Sequence, residues 1–237
     1  ALSSSRAVAC EMAQCAVRAL NNALRSFTEY TDTLARSIRD DEERCDHYED
    51  ILGTYLVKLS ALKISENDSS EAAMLLKALS DFERIGDHAL NLVESAEELK
   101  SKNLALSDAA RHELNVLLRA VEEIVDMTFQ AFRDDDLEKA YRVEPLEQVI
   151  DDLKEKMRIH HILRMQQGSC SIESGFVWSD LLTALERVGD HCSNIAGCII
   201  DLHHHNMNTH EAIRSARMEN ENFDDEYKAY AVKYSLK

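Results

Sequence analysis

Apolar side chains recur every third or fourth position over residues 7–38 and again over 44–62, the spacing that lines one face of an α-helix. The polar stretch Lys63-Ile64-Ser65-Glu66-Asn67-Asp68 then interrupts the rhythm. A third helix is predicted from a cap at Asp68 or Ser69 to about residue 99, and a fourth from a cap at Ser107 or Asp108 to about 132. The acidic run Asp134-Asp135-Asp136 reads as a turn. Pro145 stands where a first helical turn tolerates it, so a fifth helix is predicted from there to about 165, after a break at Val143-Glu144. Gly168-Ser169-Cys170-Ser171 makes the next connection, and a sixth helix runs to about 202. The rest is polar except for an amphipathic stretch at 227–234, expected to be a weakly packed helical tail.

Composition supports helices throughout. One proline and six glycines in 237 residues could hardly supply the turns of an all-β protein. The formal charge of -17 opposes contact with nucleic acid or an anionic membrane surface and makes cations the natural small partners. Phosphate could be held only where basic groups or bound metal reverse the local field. Cys10, Cys15, Cys45, Cys170, Cys192 and Cys198 show no zinc-type spacing and read as small apolar residues of a reduced compartment. No secretory pattern follows Ala1, and the missing initiator methionine suggests a piece of a longer protein. Apolar runs such as 195–200 fall far short of the roughly 20 residues that cross a bilayer, so direct membrane insertion is not expected.

The chain repeats itself. Glu83-Arg84-Ile85-Gly86-Asp87-His88 is matched 103 residues later by Glu186-Arg187-Val188-Gly189-Asp190-His191, and Asn91 and Asn194 follow at equal distance. A second acidic pattern, Glu42, Asp46 and Asp50, returns 105 residues later as Glu147, Asp151 and Glu155. The expected fold is therefore all-α, a tandem of two antiparallel three-helix bundles over 1–103 and 104–206, with a tail over 207–237.

Residues four apart on a helix lie one turn above each other, so each pattern forms a slowly drifting column of oxygen atoms. Stacked like charges cost an isolated helix a few tenths of a kcal/mol per pair, and a hard cation is the simplest compensation. If the second and third helices of a unit are neighbours, their columns can face one another and offer an oxygen-rich site. Gly86 and Gly189 interrupt the columns, consistent with close approach of a neighbouring helix or ligand. The plain alternative is that each column is a solvated acidic face partnered by Arg84 and Arg187. His88 and His191 point about 100° away from their aspartates and are read as packing or supporting groups. His160-His161 and the run His203-His204-His205 read as structural or incidental.

The two motifs, with Phe82 and Leu185 before them, resemble the PhoU family. That resemblance covers about 200 residues and implies tandem three-helix bundles whose acidic motifs bind metal ions or clusters in phosphate uptake and its regulation. His161-Ile162-Leu163-Arg164 and Gly168-Ser169-Cys170-Ser171 are similar to the PhoU-like C-terminal domain of bacterial sodium/phosphate cotransporter-related proteins. The resemblance implies ligand roles for Glu83, Asp87, Glu186 and Asp190, and by pattern for Glu42, Asp46, Asp50, Glu147, Asp151 and Glu155. Asn91 and Asn194 stand where that family often has an acid.

The resulting expectation is a non-enzymatic, metal-binding regulatory module of phosphate transport. The metal would be iron, zinc, magnesium, manganese or calcium, with phosphate met through it. The expected partner is a membrane phosphate transporter, in the same parent chain, on the cytoplasmic side and tethered through a transmembrane part outside this sequence. A homo-oligomer is compatible with this reading. Two alternatives stay open: a ferritin-like di-metal enzyme, although neither column holds a Glu-x-x-His pair, and a metal-free helical adaptor.

Overall fold

The computed structural model describes residues 2–204 and 223–237. Among these the chain is entirely helical, with seven helices: α1 (Leu2–Arg25), α2 (Asp32–Ser60), α3 (Glu66–Ser101), α4 (Asp108–Asp134), α5 (Leu137–Gln166), α6 (Ile172–His203) and α7 (Phe223–Lys233). Helices α1–α3 and α4–α6 form the two three-helix bundles.

Three element boundaries depart from the sequence expectation. The predicted helix over 7–38 is two helices. Its apolar rhythm continues through Phe27 and Tyr30, which pack half-buried at the corner. The backbone nevertheless stops at Arg25, and Thr31 starts α2 by accepting the amide of Leu34 at 3.0 Å. Helix α5 likewise begins before Pro145, which lies inside it. Asp136 caps that start by accepting the amide of Lys139 at 3.0 Å, while Asp135, at φ 53°, ends α4. One acidic turn thus serves two helices, and the proline's local cost is absorbed by burial of its surroundings. Ser65, rather than Asp68 or Ser69, caps α3.

The fully buried set, including Leu20, Ile38, Leu56, Leu79, Phe82, Phe132 and Trp178, is one continuous core across both bundles. Phe82 of α3 meets Phe132 of α4 edge to face at 5.1 Å. The main seam between the bundles is α3 against α6. Cys15, Cys45, Cys192 and Cys198 are buried, and none of the six cysteines is in a disulfide.

The tail is less loose than its composition suggests. Helix α7 packs on α5, with Tyr230 and Tyr234 buried, and Lys233 pairs with Glu123 of α4 at 3.0 Å. His203 pairs with Asp135 at 3.3 Å and His204 meets the hydroxyl of Tyr141 at 2.8 Å. His205 and the remainder of the tail up to residue 222 lie outside the described residues.

Candidate functional site: two acidic seams

Within each bundle the two acidic helices lie side by side, so the columns predicted from spacing face each other. In the α2–α3 seam the carboxyl of Glu42 donates a hydrogen bond to Asp87. Glu83 on α3 likewise hydrogen-bonds Asp87 and feels the charge of Asp46 across the seam. Burial, reinforced by Asp87, pushes the Glu83 carboxyl up to about 7. Burial also raises Glu42, helped by Asp46 and Asp87.

The α5–α6 seam repeats this arrangement. The Glu147 carboxyl donates to Asp190 and is pushed up to about 8, first by burial and then by the charges of Glu144, Asp190 and Asp151. Burial and Glu186 raise both Asp151 and Asp190. Each seam thus brings four carboxyl groups together, with Glu42, Glu83, Asp87, Glu147 and Glu186 half-buried and Asp46, Asp151 and Asp190 exposed.

The seams differ at their rims. Lys154 Nζ lies 2.9 Å from Glu186, supplying an internal cation to the second seam. Its counterpart 105 residues earlier is Glu49, and in the first seam the cation is Arg84, at a longer 3.8 Å from Asp87. Glu155 turns away from the seam to Arg158 at 3.0 Å and to Lys154 at 3.5 Å, and the Arg158 hydrogen bond lowers its carboxyl. Asp50 is exposed beyond the first seam.

The asparagines leave the columns. A step of four residues drifts about 40° around a helix, so the third member has rotated about 80° from the first. Asn194 donates to Asp81 of α3 at 3.3 Å, and Asn91 lies 3.4 Å from His88 Nδ1, both at the α3–α6 interface. His88 and His191 also face that interface and stack with centroids 5.5 Å apart.

The glycines do face the neighbouring acidic helix, Gly86 opposite Cys45 and Gly189 opposite Ile150 and Glu147. A methyl group there would sit at 3.7 Å and 3.6 Å from its nearest neighbour, ordinary contact distances. Helix approach alone does not require glycine.

An oxygen-only donor set of facing Glu and Asp residues is the chemistry of hard cations. Among the described residues no group of three or more His, Cys, Asp or Glu side chains is placed to hold a metal ion as the seams stand. The seams are held by the apolar core beneath them, with Arg84 paired to Asp87 and Lys154 to Glu186.

Sequence reasoning passed over two residues that shape these surfaces, Asp81 and Lys154. Neither is repeated in the other half, and repetition was the signal that selected the acidic rows.

With both seams placed in duplicate three-helix units, comparison with known proteins is decisive. The PhoU domain family model matches residues 9–96 and 114–199. The chain belongs to the PhoU family. Among PhoU relatives, the phosphate-specific transport system accessory protein PhoU homolog 1 of Thermotoga maritima is 28% identical over 189 residues, covering 76% of this chain and 78% of that protein. The corresponding homolog of Borreliella burgdorferi is 26% identical over 197 residues, covering 78% and 85%. The crystal structure of PhoU from Pseudomonas aeruginosa superposes with a TM-score of 0.80 at 22% identity, covering 86% of this chain and 97% of that one. PhoU of Streptococcus pneumoniae gives 0.75 at 19%, covering 87% and 97%. These superpositions establish the PhoU fold.

Proposed function

We propose that this chain is a regulatory accessory module of phosphate transport whose two acidic seams take up metal cations. The observation that carries the metal reading is the clustering of Glu42, Asp46, Glu83 and Asp87, and of Glu147, Asp151, Glu186 and Asp190, along the two seams, with Asp46, Asp151 and Asp190 exposed and the other five half-buried. Protons now offset their repulsion, and a cation bound there would do so at neutral pH without them. The regulatory reading rests on the relatives, named as accessory proteins of phosphate-specific transport systems. No helix among the described residues is long and apolar enough to cross a membrane, so contact with a membrane phosphate transporter is assigned to the chain's surface.

Cations in the seams would add positive charge to an acidic surface and give phosphate or a transporter segment something to recognise. Lys154 pairs with the second seam at 2.9 Å, closer than Arg84 approaches the first at 3.8 Å, so the first is the stronger cation site. A ferritin-like oxidase is disfavoured because His88 and His191 turn to the other interface, which leaves the seams carboxylate-only.

The test is elemental analysis of protein loaded with manganese or iron and then desalted. Wild-type protein should retain metal, Asp87→Asn should lose the larger share, Asp190→Asn the smaller, and the double variant nearly all. Full retention by the double variant would give the seams over to the metal-free adaptor reading. For the transport role, phosphate uptake should be compared in cells with and without the gene under phosphate excess. Unchanged uptake and unchanged control by external phosphate would refute it.

A further inference from the structure

The two motif histidines, His88 and His191, occupy equivalent positions in the repeat and stack on each other at the α3–α6 interface. An approximate twofold axis therefore passes between them, and a contact from α3 to α6 should recur with the helices exchanged. One does not. Asp81 reaches from α3 to accept hydrogen bonds from His191 Nδ1 at 2.9 Å and Asn194 at 3.3 Å. Its counterpart 103 residues on is Ala184, so no carboxylate returns from α6 toward His88 and Asn91.

At that position the structure has an open cleft of about 350 Å³, whose lining includes His88, Asn91 and Glu94 of α3 and Asp180, Ala184 and Arg187 of α6. Its two ends differ in chemistry. Asn91 directs one N–H at His88 Nδ1, 3.4 Å away, which leaves its second N–H and the Arg187 guanidinium as donors beside Ala184, where the missing carboxylate would sit. Because α3 and α6 run antiparallel, Glu94 and Asp180 lie together at the other end, about 9 Å along the helix from His88. Glu98 at that end is already paired with Lys102 at 2.7 Å. A simple anion would meet those carboxylates, and a simple cation would leave the donors unused.

We propose that this cleft binds a small elongated zwitterion, of the kind represented by a basic amino acid. Its carboxylate takes the place that Asp81 fills across the axis, and its cationic end lies between Glu94 and Asp180. Where one side of the axis has the Asp81 latch, the other, with Ala184 in its place, has a ligand site, one per chain. This inference is separate from the metal reading, since the cleft and the seams lie on different faces of α3 and α6.

Calorimetric titration in the presence of chelator tests it, with L-lysine, acetate and putrescine as probes. L-Lysine should bind one per chain, with acetate and putrescine each at least tenfold weaker because each satisfies one end only. Ala184→Asp supplies the carboxylate internally. It should weaken L-lysine at least tenfold and raise the unfolding midpoint without ligand, as an Asp81-like latch would. Asp180→Asn, a surface change that leaves the packing intact, should bring L-lysine down toward the level of acetate. The proposal is overturned if L-lysine produces no binding heat, if acetate or putrescine matches it, or if either variant binds it as the wild type does.

Discussion

At the residue scale, the chemistry lies in carboxyl groups held away from their usual ionisation. Glu83 is raised from 4.5 to about 7 and Glu147 from 4.5 to about 8. Between those limits the folded chain holds protons that the unfolded chain has released, so stability falls as pH rises through the window. Metal-free protein should therefore show a falling denaturant midpoint from about pH 5 to pH 8 and a plateau above. Saturating manganese should flatten or reverse that slope, because the cation binds the deprotonated seam. A midpoint rising over this range without metal would show that other groups dominate. Asp81 gives a second residue-scale prediction. Asp81→Ala removes the acceptor shared by His191 and Asn194 and should cost about 1–3 kcal/mol in chemical denaturation, with metal content unchanged.

At the element scale, glycine separates what helix propensity dictates from what packing permits. Gly86 and Gly189 are mid-helix positions with room for a methyl group. Gly86→Ala and Gly189→Ala should each stabilise the protein by about 0.5–1 kcal/mol in urea unfolding. Gly175 on α6 is different, because a methyl group there would meet His161 Nε2 at 3.0 Å. The His161 ring is buried beside Trp178 and has little room to retreat. Gly175→Ala should fall short of Gly189→Ala by about 1 kcal/mol or more. Equal gains at both positions would show that the ring yields freely. The same contrast explains the boundary errors. Periodicity reports which face is buried, and it runs on through the corner at Phe27 and Tyr30, where the backbone turns. Caps such as Thr31 and Asp136 end or begin helices through single hydrogen bonds that leave the apolar rhythm unbroken.

At the scale of the whole molecule, the bundles share one core, and α7 closes part of the second. Tyr230 is buried against α4 and α5, and Tyr234 hydrogen-bonds Glu123. Tyr230→Ala should cost about 3 kcal/mol and lower the thermal midpoint while far-ultraviolet circular dichroism stays helical. An unchanged midpoint would return the tail to the weakly packed role that its polar composition suggests. The α3–α6 interface joins the repeats through their own motif histidines, and the difference between Asp81 and Ala184 latches one side and leaves the other open.

The sequence by itself determined the helical class, the duplication and the eight carboxylates that face each other. These follow from local spacing, and local spacing survives folding unchanged. The rest depended on neighbours distant in sequence. Only the tertiary structure turned Asn91 and Asn194 away from the columns, because the drift of a helix matters once another helix selects which face it covers. Only the tertiary structure placed Lys154 against Glu186 and carried Glu155 to Arg158, since long side chains choose partners by reach as well as by repeat position. The asymmetry of Asp81 and Ala184 was present in the sequence throughout. It acquired meaning when packing brought each beside the histidine and asparagine of the opposite bundle, where a carboxylate present or absent changes which donors are satisfied.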